Sequence, residues 1–453
     1  MHTLNTLAQA IGGHYCGVDM ALPPISIDTR TLTAGDLFVA IQGPNFDGYD
    51  YIDRAVAQGA VAIMVQQEMP VDVPQIVVAD TTQGFGEMAQ AWRQQFAIPV
   101  IALTGSCGKT TTKEMLVAIL SEVGAVCATS GNQNNQYGVT MTLLRLRAHH
   151  DYAVIEMGTN GPGEIDYLAA LAQPTLSLIT NIRECHLSGL HSLAGISTEK
   201  SAIYRHLCSD GVAVLNADES FIADWQALLA DDVATYTFSS QQVQNTDVSV
   251  VVDQQDATGT QATIQVGTET GNVYCPLFAR HIGDNMAAAV AAASAAQAPM
   301  HAIVQGLRQV STGPGRFYPQ VMPRGWTLID DTYNASPSAV QSAIETLATL
   351  PGRRILVMSH LGELGDKLMF YQREMGKWMA AAQLDHVFVY GDAHLLQETL
   401  STCSHAQYFA DKDQLVEALR LHLAADVTLL VKGKRSCRME TIIHQLMEME
   451  ILC

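Results

Sequence analysis

Hydrophobic and polar positions along this chain follow three successive mixed α/β patterns. In the first, the short apolar runs 37–41, 60–65 and 75–78 predict strands that alternate with helices. From about residue 81, apolar runs at 98–103, 153–157 and 176–180 are each followed by a loop and helix-like spacing. Repeated strand–loop–helix units predict a parallel sheet in the second region.

A different pattern ends the second region and separates it from the third. Alternating Val, Thr and Ile over 246–278 predict an antiparallel patch, and an alanine-rich helix is expected at 285–296. Gly313-Pro314-Gly315 is a boundary signal. Beyond it, strand-like runs recur with helices between them, which predicts a second, smaller doubly wound sheet; they lie at 327–329, 355–358, 387–390 and 427–431. The predicted domains are residues 1–80, 81–312 and 313–453.

Length and composition limit the classes of function that this chain can have. A chain of 453 residues accommodates about three domains. Its 45 acidic residues against 25 Lys and Arg give a net charge of −20, which argues against a nucleic-acid binder or a protein held on anionic membranes. The nine cysteines occur singly, and no apolar stretch is long enough to cross a bilayer. We expect a monomeric cytoplasmic protein.

The strongest chemical signal is a glycine loop between a predicted strand and a predicted helix, Thr104-Gly105-Ser106-Cys107-Gly108-Lys109-Thr110. Glycines let backbone N–H groups turn toward a phosphate, and the helix N-terminus adds a partial positive charge. Lys109 can reach the outer phosphates, and Thr110 is placed to offer its hydroxyl to Mg²⁺. The loop predicts nucleotide binding, whereas its alternative is an ordinary strand-to-helix turn.

Three further residues have weaker signals of their own. Glu156 closes an apolar strand and is the expected second Mg²⁺ contact. His186 follows the strand at 176–180, where a lone histidine is more often a structural hydrogen-bonder than a ligand. Lys200, in Ser197-Thr198-Glu199-Lys200, is placed at a helix start, and its spacing indicates only a solvated surface lysine.

Several segments together resemble the Mur ligases, the ATP-dependent ligases of peptidoglycan synthesis. The similarity extends in order over essentially the whole chain, in TGSCGKTTTKEM, GNQNNQYGVTMTLLRL, DYAVIEMGTNGPGEI, NADE, GRF, DDTYNASPSAV and VKGKRSCRME. The chain is most similar to the branch that adds D-alanyl-D-alanine to UDP-N-acetylmuramoyl (UDP-MurNAc) tripeptide through an acyl phosphate. The resemblance implies a UDP-substrate domain, an ATP-binding domain and a C-terminal Rossmann-like domain.

The resemblance also implies roles for individual residues. The substrate residues are Asp28, Thr29, Arg30, Asp47, Asn134, Asn135, Tyr333 and Asn334. The ATP residues are Gly105, Ser106, Cys107, Gly108, Lys109, Thr110, Thr111, Asn285, Arg316 and Asp331. The catalytic residues are Lys109, Glu156, His186 and Lys200. The Mg²⁺ ligands are Thr110, Glu156, His186 and Lys200, the last as a carbamoyl-lysine.

The chain departs from the family pattern near the second magnesium and in the C-terminal domain. Ser188 stands where an acid is usual, Ser201-Ala202 replace Gly-Glu after the lysine, and Ser359-His360 replace Gly-Asp. Three alternatives remain at this point. The first is a related ligase that adds one amino acid to a muramoyl peptide or glutamate to a folate. The second is a phosphate-loop NTPase or kinase without ligase chemistry, and the third is a nucleotide-binding regulator that has lost catalysis.

Overall fold

The computed structural model describes residues 3–43 and 46–451, which form three mixed α/β regions in chain order, each built around one main sheet. Each of the three main sheets lies inside one of the predicted domain ranges. The α/β fold class is therefore confirmed, and the exact boundaries at residues 80 and 312 stay a prediction. Residues 1, 2, 452 and 453 at the ends of those ranges lie outside the described residues.

The N-terminal region contains a five-stranded sheet in the order β1-β7-β6-β3-β2. In this sheet β1 is antiparallel to β7, and the other pairs are parallel. A separate two-stranded hairpin, β4–β5, lies beside it. The elements are α1 (Leu4–Ala10), β1 (His14–Cys16), β2 (Ile25–Ser26), β3 (Leu37–Val39), β4 (Gln42–Gly43), β5 (Phe46–Asp47), α2 (Ile52–Ala57), β6 (Ala62–Val65) and β7 (Gln75–Val77).

The central region contains a nine-stranded sheet in the order β16-β15-β14-β13-β12-β11-β8-β10-β9. Its elements are α3 (Thr81–Arg93), β8 (Val100–Thr104), α4 (Lys109–Ser121), β9 (Val126–Ala128), α5 (Gln136–Leu144), β10 (Tyr152–Glu156), α6 (Glu164–Ala172), β11 (Leu176–Ile179), α7 (Leu187–Leu190), α8 (Leu193–Ser201), β12 (Val212–Asn216), α9 (Ile222–Gln226), β13 (Ala234–Ser239), β14 (Val248–Asp256), β15 (Gly259–Val266), β16 (Glu269–Cys275), α10 (Ile282–Ala295) and α11 (Met300–Gln309). Strands β8 to β14 are parallel, and β14, β15 and β16 form the predicted antiparallel patch.

The position of the phosphate loop follows from this strand order. The carboxyl ends of β8, β10 and β11 lie side by side, because β8 is paired with both of the others. The alanine-rich helix α10 begins three residues before the predicted start and is buried along its length, where small side chains let it pack closely against α4.

The C-terminal region contains a six-stranded sheet in the order β17-β18-β22-β19-β20-β21. All of its strands are parallel except the edge strand β17. Its elements are β17 (Tyr318–Val321), β18 (Thr327–Asp331), α12 (Pro337–Thr349), β19 (Arg353–Ser359), α13 (Leu368–Ala381), β20 (His386–Tyr390), α14 (Ala393–Thr402), β21 (Gln407–Phe409), α15 (Lys412–Arg420), β22 (Val427–Lys432) and α16 (Glu440–Ile451). The predicted doubly wound sheet is confirmed, since buried side chains of α15 and α16 pack on one face and those of α12, α13 and α14 on the other.

The structure corrects the position that the sequence predicts for Lys200. Lys200 lies in the last turn of α8 and not at a helix start, because Ser192 caps that helix and its hydroxyl accepts the Gly195 N–H. None of the helices in the described part of the chain is long and apolar enough to cross a membrane.

Candidate active site

A cavity of about 910 Å³ lies where the carboxyl ends of the central strands face the C-terminal domain. Both domains contribute to its walls. From the central domain come the phosphate loop and the ends of β10 and β11, and from the C-terminal domain come the segments after β18 and β22. The predicted residues that line it are Ser106, Cys107, Gly108, Lys109, Thr110, Thr111, Asn134, Asn135, Glu156, His186, Arg316, Asp331, Tyr333 and Asn334.

The phosphate loop has a backbone that only glycine fits at two positions. Gly105 has φ +151° and Gly108 has φ +78°, and a Cβ at either would overlap a neighbouring side chain, Thr180 or Asn285. The Ser106 N–H donates to the Asn181 carbonyl at 2.9 Å, which anchors the loop to the end of β11. Lys109 Nζ donates to the Gly105 carbonyl at 2.7 Å, so the amine is held over the loop that faces the phosphates.

Thr110 and Glu156 meet directly below this loop. Thr110 Oγ1 donates to both carboxylate oxygens of Glu156, at 3.0 and 2.8 Å, and both side chains are buried. Asn134 Nδ2 donates to the same carboxylate at 2.8 Å. A hydroxyl and a carboxylate side by side are hard oxygen donors, so this pair fits a Mg²⁺ ion, as the sequence predicts.

The segment that carries Asn134 and Asn135 is fixed by a residue that sequence reasoning missed. Lys113 is only 1% exposed, and its Nζ donates to the carbonyls of Thr129 and Gly131 at 2.8 and 3.1 Å. Asn135 itself caps α5, since its Oδ1 accepts the Gly138 N–H at 3.0 Å. A lysine four residues after Lys109, one helical turn along, is the only sequence signal for the role of Lys113.

His186 reaches the cavity from the loop after β11 and contacts the C-terminal domain. Its Nδ1 lies 3.0 Å from Glu363 Oε2, and the Ser188 N–H donates to the Glu363 carbonyl at 3.3 Å. The hydrogen bond from His186 lowers the pKa of Glu363. His186 thus links the two domains in this structure, and its role as a second magnesium ligand stays a prediction.

Lys200 is buried, which contradicts the reading of a solvated surface lysine. Its side chain is 1% exposed, and it makes no hydrogen bond or ion pair with any residue that the structure describes. Burial lowers its pKa to about 8, and the nearby charge of Lys109 acts in the same direction. At neutral pH the amine therefore loses its proton far more readily than an ordinary lysine.

Asn285 lies behind the phosphate loop and outside the cavity lining. It is 2% exposed, its Oδ1 lies against Gly108, and its Nδ2 has no hydrogen-bond partner in the described part of the chain. The predicted contact with adenine stays a prediction. His281 lines the cavity nearby, and burial lowers its pKa.

The C-terminal wall of the cavity contains two ordered charges. Arg316 stacks over the Tyr333 ring at 4.1 Å from its centroid. Asp331 accepts from Lys432 Nζ at 2.8 Å and from the Phe317 N–H at 3.2 Å. Burial raises the pKa of Asp331, and the adjacent Lys432 opposes that shift.

Several further charged or titratable residues of the lining were not singled out by sequence reasoning. They include Arg183, His281, Lys432, Lys434 and Arg435. Three of the cations lie within residues 432–435, in a segment that carries the family resemblance, and this clustering was the available signal. Arg183 makes a 2.6 Å ion pair with the buried Glu219, whose pKa is raised by burial.

The predicted N-terminal substrate residues lie outside this cavity lining. Arg30 makes a bidentate pair with Asp28, with its Nη2 at 2.7 Å from Oδ2, and this pairing lowers the pKa of Asp28. Thr29 is buried, while Asp47 accepts the Tyr49 N–H at 3.0 Å and begins a short 3₁₀ turn. Their contact with a substrate stays a prediction.

Known proteins are similar to this chain over almost its whole length. Family models match in chain order, as the Mur ligase family catalytic domain over 24–103, the Mur ligase middle domain over 103–293 and the Mur ligase glutamate ligase domain over 315–435. UDP-N-acetylmuramoyl-tripeptide–D-alanyl-D-alanine ligase of Escherichia coli (strain K12) is 39% identical over 449 residues, which is 98% of each chain.

Solved structures give the same result. The crystal structure of MurF from Acinetobacter baumannii has a TM-score of 0.89 and 34% identity, with 98% of each chain covered. MurF ligase from Thermotoga maritima in complex with ADP has a TM-score of 0.82 and 26% identity, covering 95% of this chain and 98% of that one. With a phosphate loop, an adjoining oxygen-donor pair and this likeness over its full length, the chain belongs to the Mur ligase family of ATP-dependent ligases.

Proposed function

We propose that this chain is the ligase that joins D-alanyl-D-alanine to UDP-MurNAc-tripeptide, using ATP, in peptidoglycan precursor synthesis. One observation carries the proposal. The phosphate loop with Thr110 and Glu156 faces Arg316 and Asp331 across a single cavity, in a chain that is 39% identical to a ligase of that name. The products are the pentapeptide precursor, ADP and phosphate.

The chemistry begins with activation of a carboxylate. The terminal carboxylate of the tripeptide attacks the γ-phosphorus of ATP, ADP leaves, and an acyl phosphate forms. Both reactants are anions, so the charge of Lys109 over the loop lowers their repulsion and stabilises the phosphoryl group in transfer. The free amine of D-alanyl-D-alanine then attacks the acyl carbon, loses a proton, and expels phosphate.

Closure of the C-terminal domain has a chemical reason. An acyl phosphate hydrolyses when water reaches it, so the cavity must exclude solvent during the second step. Arg316, Asp331, Tyr333 and Asn334 come from that domain and line the cavity. We assign them to closing on the nucleotide and on the incoming dipeptide.

Mg²⁺ belongs to this mechanism as the counter-charge for the triphosphate. Thr110 and Glu156 would hold it, because their oxygens are adjacent and buried beneath the phosphate loop. When bound, the ion supplies positive charge at the transferring phosphoryl group. We keep His186 as a candidate ligand of a second ion.

We also propose that Lys200 is carbamoylated in the active enzyme. A neutral amine attacks carbon dioxide and loses a proton to give an N-carboxylate, and the lowered pKa of about 8 favours that neutral form. In the described part of the chain, the buried ammonium has no hydrogen-bond or ion-pair partner. The carbamate would turn a cation into an anion beside the magnesium site.

Substrate binding spans the chain. We propose that Asp28, Thr29, Arg30 and Asp47 contact the UDP part of the substrate, while Asn134 and Asn135 face the muramoyl peptide. We also propose that a monomer is the working unit. Size-exclusion chromatography with light scattering tests that state.

The function is tested by phosphate release from ATP and Mg²⁺, with UDP-MurNAc-tripeptide and D-alanyl-D-alanine supplied together or singly. We expect release only when both are present, with a pentapeptide product identified by mass. Glycine, D-alanine and L-alanine replace the dipeptide in parallel reactions as controls. Release without any amine would identify an NTPase, and faster release with a single amino acid would identify another ligase of the family.

A further inference from the structure

Three side chains with metal-binding atoms meet at the edge of the N-terminal sheet, away from the ATP cavity. They are His14, Cys16 and Glu68, here called the His14 cluster. One ligand atom from each lies within 4.8 Å of the other two. Among the side chains that the structure describes, this is the only group of three or more His, Cys, Asp or Glu with such spacing.

Local structure explains why these side chains converge. His14 and Cys16 are two residues apart on β1, so both point to the same face of the sheet. Glu68 follows β6, and its carboxylate oxygen Oε1 accepts from the Cys16 thiol at 3.1 Å.

The backbone beside Glu68 is fixed by a buried amide. Gln75 of β7 is buried and bonds both backbone groups of Met69, with Oε1 accepting its N–H at 2.9 Å and Nε2 donating to its carbonyl at 2.7 Å. Strand β7 is also the direct partner of β1, with Gln75 opposite Cys16. One side chain therefore holds the Glu68 segment at a set distance from the cysteine.

The donor set indicates the class of ion. A thiolate, an imidazole and a carboxylate are the ligands that Zn²⁺ takes in proteins, whereas Mg²⁺ and Ca²⁺ take oxygen donors. His14 and Glu68 are exposed and Cys16 is half-buried, so an ion in solution can reach all three. Three protein ligands leave a fourth tetrahedral position for water.

We propose that the His14 cluster is a binding site for a divalent transition-metal ion of the Zn²⁺ class. The bound ion would join β1 to the segment after β6 across β7. A metal ion binds the thiolate, so binding at Cys16 displaces the thiol proton and becomes tighter as pH rises. Since the ion joins groups that only the folded chain brings together, it stabilises the folded state.

The test uses the full-length chain, stripped of metal by a chelator and kept free of nucleotide. Co²⁺ is titrated first, because a thiolate bound to Co²⁺ gives a charge-transfer absorption that carboxylate sites do not give. Zn²⁺ is then added and should remove that absorption. We expect one equivalent of Co²⁺ to saturate the signal, and Zn²⁺ to raise the thermal unfolding temperature.

Variants assign the ion to these residues. Cys16→Ser should abolish the absorption, and His14→Ala and Glu68→Gln should each weaken Co²⁺ binding by about tenfold or more. The matched control is Cys437→Ser, because Cys437 lies 3.8 Å from His360 Nε2 but has no third ligand beside it in the described part of the chain. That variant should bind Co²⁺ like the wild type.

Two results would overturn the site. One is an unchanged absorption in Cys16→Ser, which would place the thiolate ligand elsewhere. The other is a wild-type chain with no thiolate absorption at millimolar Co²⁺. If Cys16→Ser fails to fold, judged by its unfolding curve without metal, the His14 and Glu68 variants decide the question.

Discussion

At the scale of single residues, Lys109 has the clearest role, because its amine already lies over the loop that should hold the phosphates. We predict that Lys109→Ala lowers kcat by at least about 100-fold, since it removes positive charge from the transferring phosphoryl group. The free energy of unfolding should change little. Lys377→Ala is the control, because Lys377 pairs with Glu374 on an exposed helix surface. Near-normal turnover in Lys109→Ala would contradict the phosphate-loop assignment.

Lys200 gives a pH-dependent prediction for the substrate-free chain. Its pKa is about 8 in the folded chain, against 10.5 for an ordinary lysine, so above pH 8 the unfolded chain binds more protons than the folded one. Stability from this residue therefore rises with pH, by about 2 kcal/mol between about pH 7 and 9.5. Urea unfolding in carbon-dioxide-free buffer should show this rise in the wild type and lose it in Lys200→Met. Parallel pH profiles for the two proteins would show that the lysine titrates normally.

The carbamate itself is tested by chemical rescue. Lys200→Ala should lose most of its activity, and a short carboxylic acid in the assay should restore part of it by placing a carboxylate in the vacated space. Acetate and formate are compared with chloride at equal ionic strength. A fully active Lys200→Ala enzyme would show that this chain works without the group.

The residues that could be predicted from sequence are those whose signal is local. Lys109 and Thr110 follow a strand and a loop, Glu156 ends the neighbouring strand β10, and the structure brings them together. The burial of Lys200 and the cross-links made by Lys113 and Lys432 could not be predicted this way. Those properties depend on segments that are distant in sequence and meet only in the folded chain.

At the scale of elements, a single carboxylate joins α8 to the wall of the cavity. Glu199, the neighbour of Lys200, accepts from Thr159 Oγ1 at 3.1 Å and from the N–H groups of Gly163 and Ile165 at 2.6 and 2.8 Å. It therefore holds the segment before α6, which includes Thr159 and Asn160 of the cavity lining. Its negative charge also lies at the N-terminus of that helix, where it is favoured.

We predict that Glu199→Ala destabilises the chain by about 2–4 kcal/mol, because three donors lose a buried acceptor. The activity of the folded fraction should also fall, mainly through a higher KM for the tripeptide substrate. Denaturant unfolding and initial rates measure the two effects. Glu417→Ala, on an exposed helix surface with Arg420, should stay within about 0.5 kcal/mol of the wild type. A similar small effect in Glu199→Ala would contradict its positioning role.

Element types were most predictable in the second and third regions, where most parallel strands are short apolar runs and most parallel connections contain a helix. The residues at which the helices begin were less predictable. Helix α10 begins at Ile282 and α8 at Leu193, before the residues that sequence patterns favoured. In α8 the sequence Ser197-Thr198-Glu199 resembles a helix start, but Ser192 provides the cap, and the residues from Glu199 to Ser201 form the buried end of the helix.

At the scale of the whole molecule, the cavity exists because the C-terminal domain rests on the phosphate loop. Cys107 Sγ lies 3.3 Å from Ser336 Oγ and 3.4 Å from Ser338 Oγ. His186 pairs with Glu363, and Arg280 pairs with Glu345 of α12. These polar contacts are reversible, which suits an enzyme that must open to admit substrates and close to protect an acyl phosphate.

This arrangement predicts that Ser336→Cys creates a disulfide trap across the cavity. The introduced thiol would lie within bonding reach of the Cys107 thiol, and mild oxidation removes two electrons and two protons to join them. The cross-link should fix the C-terminal domain on the loop, lower turnover by at least about tenfold, and be reversed fully by a reductant. Non-reducing electrophoresis and phosphate release measure the two effects. The double variant Cys107→Ser/Ser336→Cys should not cross-link, and its turnover should be the same with and without oxidant. A Ser336→Cys chain that never cross-links would place the two domains apart in solution.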